Sequence, residues 1–120
     1  MNIDILKQAG IDYESGVERF LNQSNLYEAA LGDFLKEKAM EQAEDAFTHA
    51  DLPELEQCSH TIKGMAANMD MKPLFESARA LNNLLKTCIN PDSDIVERLF
   101  LDMKIKYYTV YNGIISAQDN

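Results

Sequence analysis

Residues 58–68 read Cys-Ser-His-Thr-Ile-Lys-Gly-Met-Ala-Ala-Asn, inside an apolar repeat with helical spacing. On a helical wheel with about 100° per residue, the apolar side chains gather within about 60° of Ile62. His60 falls about 160° away, with Gly64 and Ala67 beside it and Lys63 at the flank. The pattern predicts a helix that turns one face to the core and presents His60 to solvent on the other.

Apolar residues recur with helical spacing on both sides of this stretch, and no strand-like alternation persists. We expect helices at 12–21, 25–49, 53–69, 72–88 and 92–116, the second being either continuous or broken around residues 38–40. Capping patterns support three helix starts, namely Asn25 with Glu28, Asp51 with Glu54, and Asn90 before Pro91. Short connections favour antiparallel neighbours, so the predicted fold is all-α: an antiparallel up-down four-helix bundle with a short N-terminal helix capping one end.

The chain has 120 residues, of which 46% are hydrophobic and 26% are charged, which predicts a single domain over residues 1–120. Its net charge of −9 argues against nucleic acid and anionic membrane surfaces as partners. The sequence has neither a leader-like start nor about 18 consecutive apolar residues, so we expect a cytoplasmic protein. Asp119 and Asn120 are expected to form a frayed end.

The two cysteines lack the paired spacing of a disulfide framework or a structural zinc site. Cys58 and Cys88 both fall on apolar stripes, and we expect both to be small buried residues. Cys58 and His60 cannot bind one metal together, because residues two apart on a helix point about 200° apart. His49 is expected to interact with the dipole at a helix end. The sequence therefore predicts no metal site and no resident cofactor.

Gly64 is unexpected in a helix interior, where glycine costs about 0.5–1 kcal/mol relative to alanine. A missing side chain one turn from His60 would let another protein approach the imidazole closely. A neutral imidazole is a nucleophile toward phosphoryl groups, and Lys63 would balance the charge of the product. A solvated helix face with one histidine fits the spacing too, so both interpretations stay open.

The predicted helix 72–88 carries a second face opposite its apolar stripe. The stripe consists of Leu74, Ala78, Leu81, Leu85 and Cys88. On the opposite face recur Phe75, Arg79, Asn82 and Lys86. If this helix and the one carrying His60 are antiparallel neighbours, that face flanks the histidine. The alternative is a solvated charged face with one exposed aromatic ring.

Residues 59–68 resemble the sequence around the phospho-accepting histidine of the histidine-containing phosphotransfer (Hpt) domain family. Residues 10–20 and 26–35 resemble the family's N-terminal helix and the start of its second helix. Residues 74–85 fall where the family has the helix beside the active one. Two positions depart from the family: Asp70 stands where many relatives have glycine, and Met65 replaces a residue that is commonly small.

The resemblance implies roles for five residues, and the outer faces of the two helices add Ala67 and Phe75. His60 would be the phosphorylation site and Lys63 would support the phosphate, while Gly64 leaves room for a partner. Asn82 and Lys86 match positions where the family often places polar or basic groups near the phosphohistidine. The surface for partner access and docking would be formed by Gly64, Ala67 and Phe75.

The resemblance also implies partners and excludes an enzyme. Hpt domains exchange phosphoryl groups with response-regulator receiver domains and with sensor or hybrid histidine kinases, and Mg²⁺ is expected only on the receiver. The sequence contains no ATP-binding loop and no kinase motif, so we expect a freestanding carrier in a two-component phosphorelay. One alternative is a helical adaptor that binds a receiver or kinase domain without being phosphorylated. Another is an acidic inhibitor of a basic partner, which only the net charge suggests.

Overall fold

A computed structural model describes residues 1–118, which form seven α-helices and no strand. The helices are α1 (Ile3–Gln8), α2 (Tyr13–Arg19), α3 (Ser24–Phe34), α4 (Ala39–Thr48), α5 (Leu52–Asn68), α6 (Lys72–Thr87) and α7 (Ser93–Ala117). The predicted all-α class is confirmed for these residues. The expectation for Asp119 and Asn120 lies outside them.

The predicted helix 25–49 is broken into two helices, α3 and α4, which confirms the alternative of a broken helix. The break covers residues 35–38, slightly earlier than predicted. Helix α1 was not predicted at all, because six residues are too few to show a helical period.

Helix starts are fixed by aspartates more often than the sequence patterns indicated. Asp51 caps α5 as predicted, accepting a hydrogen bond from the Glu54 amide at 3.1 Å. The start of α7 is capped by Asp92 rather than Asn90, since the Asp92 carboxylate accepts two backbone hydrogen bonds. The expected cap at Asn25 is wrong, because α3 begins at Ser24 and takes Asn25 into its first turn.

The core lies between α4, α5, α6 and α7, with α4 against α5, α5 against α6, and α6 and α4 against α7. Aromatic side chains of this core connect α3 and α4 to α7. Phe47 of α4 stacks on Phe100 with ring centroids 4.3 Å apart, and Phe34 of α3 lies 5.0 Å from Tyr107. These contacts hold the two segments on one side of the long C-terminal helix.

The N-terminal helices cover two different parts of the molecule. Helix α1 packs along the end of α7, where the Asn2 amide donates to the Ala117 carbonyl at 2.9 Å. Helix α2 lies near the turn between α5 and α6, where the Asp12 amide donates to the Asp70 carbonyl at 2.9 Å. Tyr27 of α3 reaches the same turn and donates its hydroxyl to the Met69 carbonyl at 2.6 Å.

Helices α5 and α6 run antiparallel, and two openings between them are lined by residues of both helices. The end of α5 and the start of α6 line one groove together, through Ala67 and Phe75. The first half of α5 meets the last turn of α6 at a second cleft, which Glu56 and Lys86 both line. His60 lies at this second cleft, near the middle of α5.

Candidate functional site

Helix α5 presents His60 to solvent. His60, Gly64 and Ala67 are all exposed, as the helical wheel predicted. The opposite face of α5 is buried, and it consists of Leu55, Cys58, Ser59, Ile62 and Ala66. The imidazole therefore stands on a rigid element, with the core directly behind it.

Gly64 leaves open space one turn from His60. A Cβ built on Gly64 meets no heavy atom of residues 1–118 within 4 Å, so neither close packing nor a positive φ explains the glycine. Gly16 is different, because a Cβ there would overlap the ring of Tyr27. Gly64 thus widens the surface beside His60 without serving the fold.

Two lysines near His60 are free of ion pairs with any residue in the range 1–118. Lys63 lies one turn along α5 and is half-buried, whereas Lys86 is exposed in the last turn of α6. The ion pairs of the structure use other cations. Arg79, for example, is 2.6 Å from a carboxylate oxygen of Glu76 and lies over the ring of Phe75. Lys63 and Lys86 remain available to an anion at His60.

The α5–α6 region is less acidic than the protein as a whole. Residues 52–87 carry four cations and four carboxylates, whereas the whole chain has 11 Lys and Arg against 20 Asp and Glu. Two of these carboxylates are paired with arginines, Asp70 with Arg19 and Glu76 with Arg79. An added phosphoryl group at His60 would therefore meet less negative charge here than the net charge of the chain suggests.

His60 shares a cleft of about 230 Å³ with two residues of its own helix and two of α6. The lining residues are Glu56, Gln57, His60, Asn82 and Lys86. Gln57 was not predicted, although it lies three residues before His60 and the wheel puts it on the same face. The cleft is an opening between helices whose walls combine one cation, one carboxylate, one imidazole and two neutral amide side chains.

The Hpt domain family matches residues 30–106, almost two thirds of the chain. The chain belongs to the Hpt domain family. Hpt domains are phosphotransfer modules of two-component systems that carry phosphoryl groups and are not kinases. They generally interact with kinases and receiver domains of those systems.

The matched region of this Hpt domain contains α4, α5 and α6, and therefore His60 and every other predicted site residue. It begins after α1 and α2, so the resemblance of residues 10–20 to the family's N-terminal helix stays a prediction. Comparison with curated proteins found no match, and comparison with solved structures found none either.

The position of Asn82 contradicts one feature of the predicted site. The sequence pattern put it on the outer face of α6, but its side chain is completely buried. Its amide nitrogen donates to the Glu56 carbonyl at 3.0 Å and to the Ser59 hydroxyl at 3.2 Å, both on α5. The amide nitrogen is therefore bonded inside the Hpt domain, and the side chain has no exposed surface for a phosphate to contact.

Ala67 and Phe75 lie on a groove of about 320 Å³ that shares no lining residue with the His60 cleft. The floor is largely apolar and includes Ala66 and Met71. Phe75 is half-buried rather than exposed, because its ring packs against the core. Of the three predicted docking residues, Ala67 and Phe75 thus lie near the turn between α5 and α6 and outside the His60 cleft, whereas Gly64 lies one turn from His60.

The cysteines occupy different environments. Cys58 is buried as predicted, and burial raises the pKa of its thiol. Cys88 is exposed, which contradicts its predicted burial, because α6 ends at Thr87 and the apolar stripe does not extend past that end. His49 follows the last residue of α4, where its Nδ1 lies 2.8 Å from the Asp45 carbonyl oxygen.

Within residues 1–118, no three His, Cys, Asp or Glu side chains come together in a group that could hold a metal ion. In the same range, no helix has the length and apolar character needed to cross a lipid bilayer.

Proposed function

We propose that this Hpt domain is a phosphoryl carrier in a two-component phosphorelay, with His60 as its phosphorylation site. The observation that carries the proposal is the combination of an exposed His60, open space at Gly64 and two lysines on α5 and α6 that form no ion pair with residues 1–118. The donor is a receiver aspartyl phosphate or a hybrid histidine kinase, and the acceptor is a second receiver aspartate. The carrier and its partners work in the cytoplasm.

The transfer step needs little chemistry from this chain. A ring nitrogen of neutral His60 attacks the phosphorus, so that a P–N bond forms while the P–O bond to the donor aspartate breaks. The aspartate leaves as a carboxylate, and the imidazole keeps its proton on the other ring nitrogen or releases it to water. Passing the group onward reverses these steps on another aspartate. Phosphoryl transfer depends mainly on position and charge, and the Mg²⁺ is expected on the receiver.

Each neighbour of His60 has one part in this proposal. Lys63 and Lys86 offset the negative charge of the phosphoryl group, because both lie near His60 and neither is paired with a carboxylate in the described range 1–118. Gly64 lets the receiver approach the imidazole. Ala67 and Phe75 form part of the surface on which the receiver docks.

We also propose the finer architecture, an antiparallel up-down four-helix bundle of α4, α5, α6 and α7. The antiparallel α5–α6 pair and the short connections between successive helices support it. In α4 and α7, the late residue Phe47 meets the early residue Phe100, as antiparallel helices require.

The test is phosphotransfer from a panel of phosphorylated receiver domains to the wild-type protein and to two variants. His60→Gln removes the proposed site, and His49→Gln is the matched control, since the chain has two histidines and both are exposed. We expect acid-labile, base-stable label on wild type and on His49→Gln and none on His60→Gln.

Label on His60→Gln would overturn the assignment of the site. If a folded wild-type protein binds receivers but takes no label from any receiver or kinase, the carrier proposal fails. The unphosphorylated adaptor would then be the better interpretation.

A further inference from the structure

Asn82 joins α6 to α5 directly beside His60. Its Nδ2 donates to the Glu56 carbonyl at 3.0 Å and to the Ser59 hydroxyl at 3.2 Å. The Ser59 hydroxyl in turn donates to the same Glu56 carbonyl at 2.9 Å. We call these three residues the Asn82 clamp. It is the polar part of an otherwise apolar α5–α6 contact, and Asn82 is completely buried in it.

The clamp acts on the turn of α5 that carries His60. In an α-helix the amide of each residue bonds to the carbonyl four residues earlier, and α5 includes both Glu56 and His60. The carbonyl that Asn82 holds is therefore the hydrogen-bond acceptor of the His60 amide. Ser59, the other partner of Asn82, immediately precedes His60. A side chain of α6 thus fixes the backbone from which the imidazole projects.

Asn82 cannot bind the phosphoryl group while the clamp is formed. Its Nδ2 is bonded to two acceptors within the clamp, and the side chain has no exposed surface. Its remaining atom, Oδ1, is buried and has no hydrogen-bond partner among residues 1–118. Oδ1 is an acceptor, as phosphoryl oxygens are, so the two cannot form a hydrogen bond with each other.

A buried amide with an unpartnered oxygen is a poor choice for stability alone. A leucine at this position would fill similar space and leave no acceptor unsatisfied. We therefore explain Asn82 by the hydrogen bonds that its amide nitrogen donates to Glu56 and Ser59. Lys86 lies one turn further along α6 and lines the same cleft as His60, so the clamp also fixes the lysine relative to the imidazole.

We infer that Asn82 is a positioning residue for phosphotransfer, acting through Glu56 and Ser59 on the orientation of His60 without touching the phosphate. The inference rests on the proposed phosphoryl-carrier function. Because a displacement of about 1 Å can slow an enzymatic step about 100-fold, we expect loss of the clamp to slow transfer about tenfold.

The test compares Asn82→Leu with Asn83→Leu. The first removes the clamp and keeps the site filled, and the second makes the same change at the next, exposed residue of α6. Three quantities are measured: the rate of transfer from a phosphorylated receiver domain, the half-life of the isolated phosphohistidine, and the position of the His60 amide in a proton–nitrogen correlation spectrum. For Asn82→Leu we expect transfer about tenfold slower, a half-life within about twofold of wild type, and a displaced His60 amide signal. Asn83→Leu should match wild type in all three.

Two results would overturn the inference. One is wild-type transfer by folded Asn82→Leu. The other is a phosphohistidine half-life that shortens in proportion to the rate while the His60 amide signal stays in place, which would indicate direct phosphate contact. If Asn82→Leu does not fold, Ser59→Ala removes one arm of the clamp, and it must slow transfer and move the same signal. A wild-type protein that takes no label would instead overturn the proposed function, so the two failures are distinguishable.

Discussion

Arg19 and Asp70, 51 residues apart in the chain, form an ion pair with two hydrogen bonds. Nε of Arg19 lies 2.9 Å from Oδ2 of Asp70, and a terminal guanidinium nitrogen lies 3.2 Å from Oδ1. Asp70 has a φ of +57°, in the left-handed region that favours glycine. At Asp70 the chain accepts a less favourable backbone conformation and gains a link between α2 and the α5–α6 turn.

Substitutions at Asp70 should separate the backbone effect from the ion pair. Asp70→Gly loses an exposed pair that contributes little to stability, and the fit of glycine to the left-handed region offsets part of that loss. Asp70→Val loses the pair and forces a β-branched residue into the same conformation, so its free energy of unfolding should fall by about 2 kcal/mol. Urea denaturation measures both. Equal stability of the two variants would show that the backbone at residue 70 can rearrange freely.

Substitutions at Gly64 should affect the access of a receiver domain to His60 and should not prevent folding. Gly64→Ala should raise the free energy of unfolding by about 0.5–1 kcal/mol, because the added methyl group meets open space in a helix interior. Gly64→Gln should remain folded but slow transfer from a receiver about tenfold or more, since its side chain blocks the approach to His60. Denaturation and transfer rates are measured on the same preparations.

Gly16→Ala is the control for Gly64. Its Cβ would overlap the Tyr27 ring, so the free energy of unfolding should fall by about 1–3 kcal/mol. Transfer at 25 °C by the fraction that stays folded should be unchanged. A wild-type transfer rate for Gly64→Gln would refute the access explanation.

The two cysteines should differ strongly in reactivity. Cys88 is exposed, whereas Cys58 is buried and burial raises the pKa of its thiol. With Ellman's reagent, Cys88 of the native protein should react at least about 100-fold faster than Cys58, because the reagent reaches Cys58 only after local unfolding exposes its thiol. Cys88→Ser should remove the fast phase, and urea should convert the slow phase into a fast one. Two equal fast phases in the native protein would contradict the burial of Cys58.

Local periodicity was enough to predict how α5 presents its side chains. The 3.6-residue repeat alone separates the core face around Ile62 from the exposed face of His60 and Gly64, because a helix of 17 residues repeats that pattern over several turns. The chemistry of the site follows from the same stretch. Helix α1 has only six residues, and contacts with the distant end of α7 hold it in place, so its own sequence carries too little signal.

Asn82 and Cys88 show where periodicity stops being informative. The pattern put Asn82 outside, but its burial depends on acceptors supplied by Glu56 and Ser59 of another helix, which α6 alone does not reveal. Cys88 continues the apolar stripe in sequence, yet the helix has ended one residue earlier. Long-range polar contacts and helix ends are therefore the features that needed the structure.

Stability should fall steeply at alkaline pH because of two tyrosines on α7. Burial raises the pKa of Tyr107 to about 12, and burial with a hydrogen bond to Glu44 raises the pKa of Tyr108 to about 12 as well, from an ordinary value of 10.0. Between these values the folded protein keeps protons that the unfolded chain releases. The contribution to stability is therefore complete below about pH 10 and is lost as the pH rises through about 12.

Tyr108→Phe tests this dependence with one ring left in place. At neutral pH it should lower the free energy of unfolding by about 1 kcal/mol, the usual worth of the lost hydrogen bond to Glu44. Above about pH 10 its stability should fall less steeply than that of wild type, since one fewer group releases a proton on unfolding. Urea denaturation at a series of pH values gives both slopes. Parallel curves for the two proteins would mean that Tyr108 ionises as easily in the folded protein as in the unfolded chain, and the burial of its hydroxyl group on α7 would then have no effect on its proton.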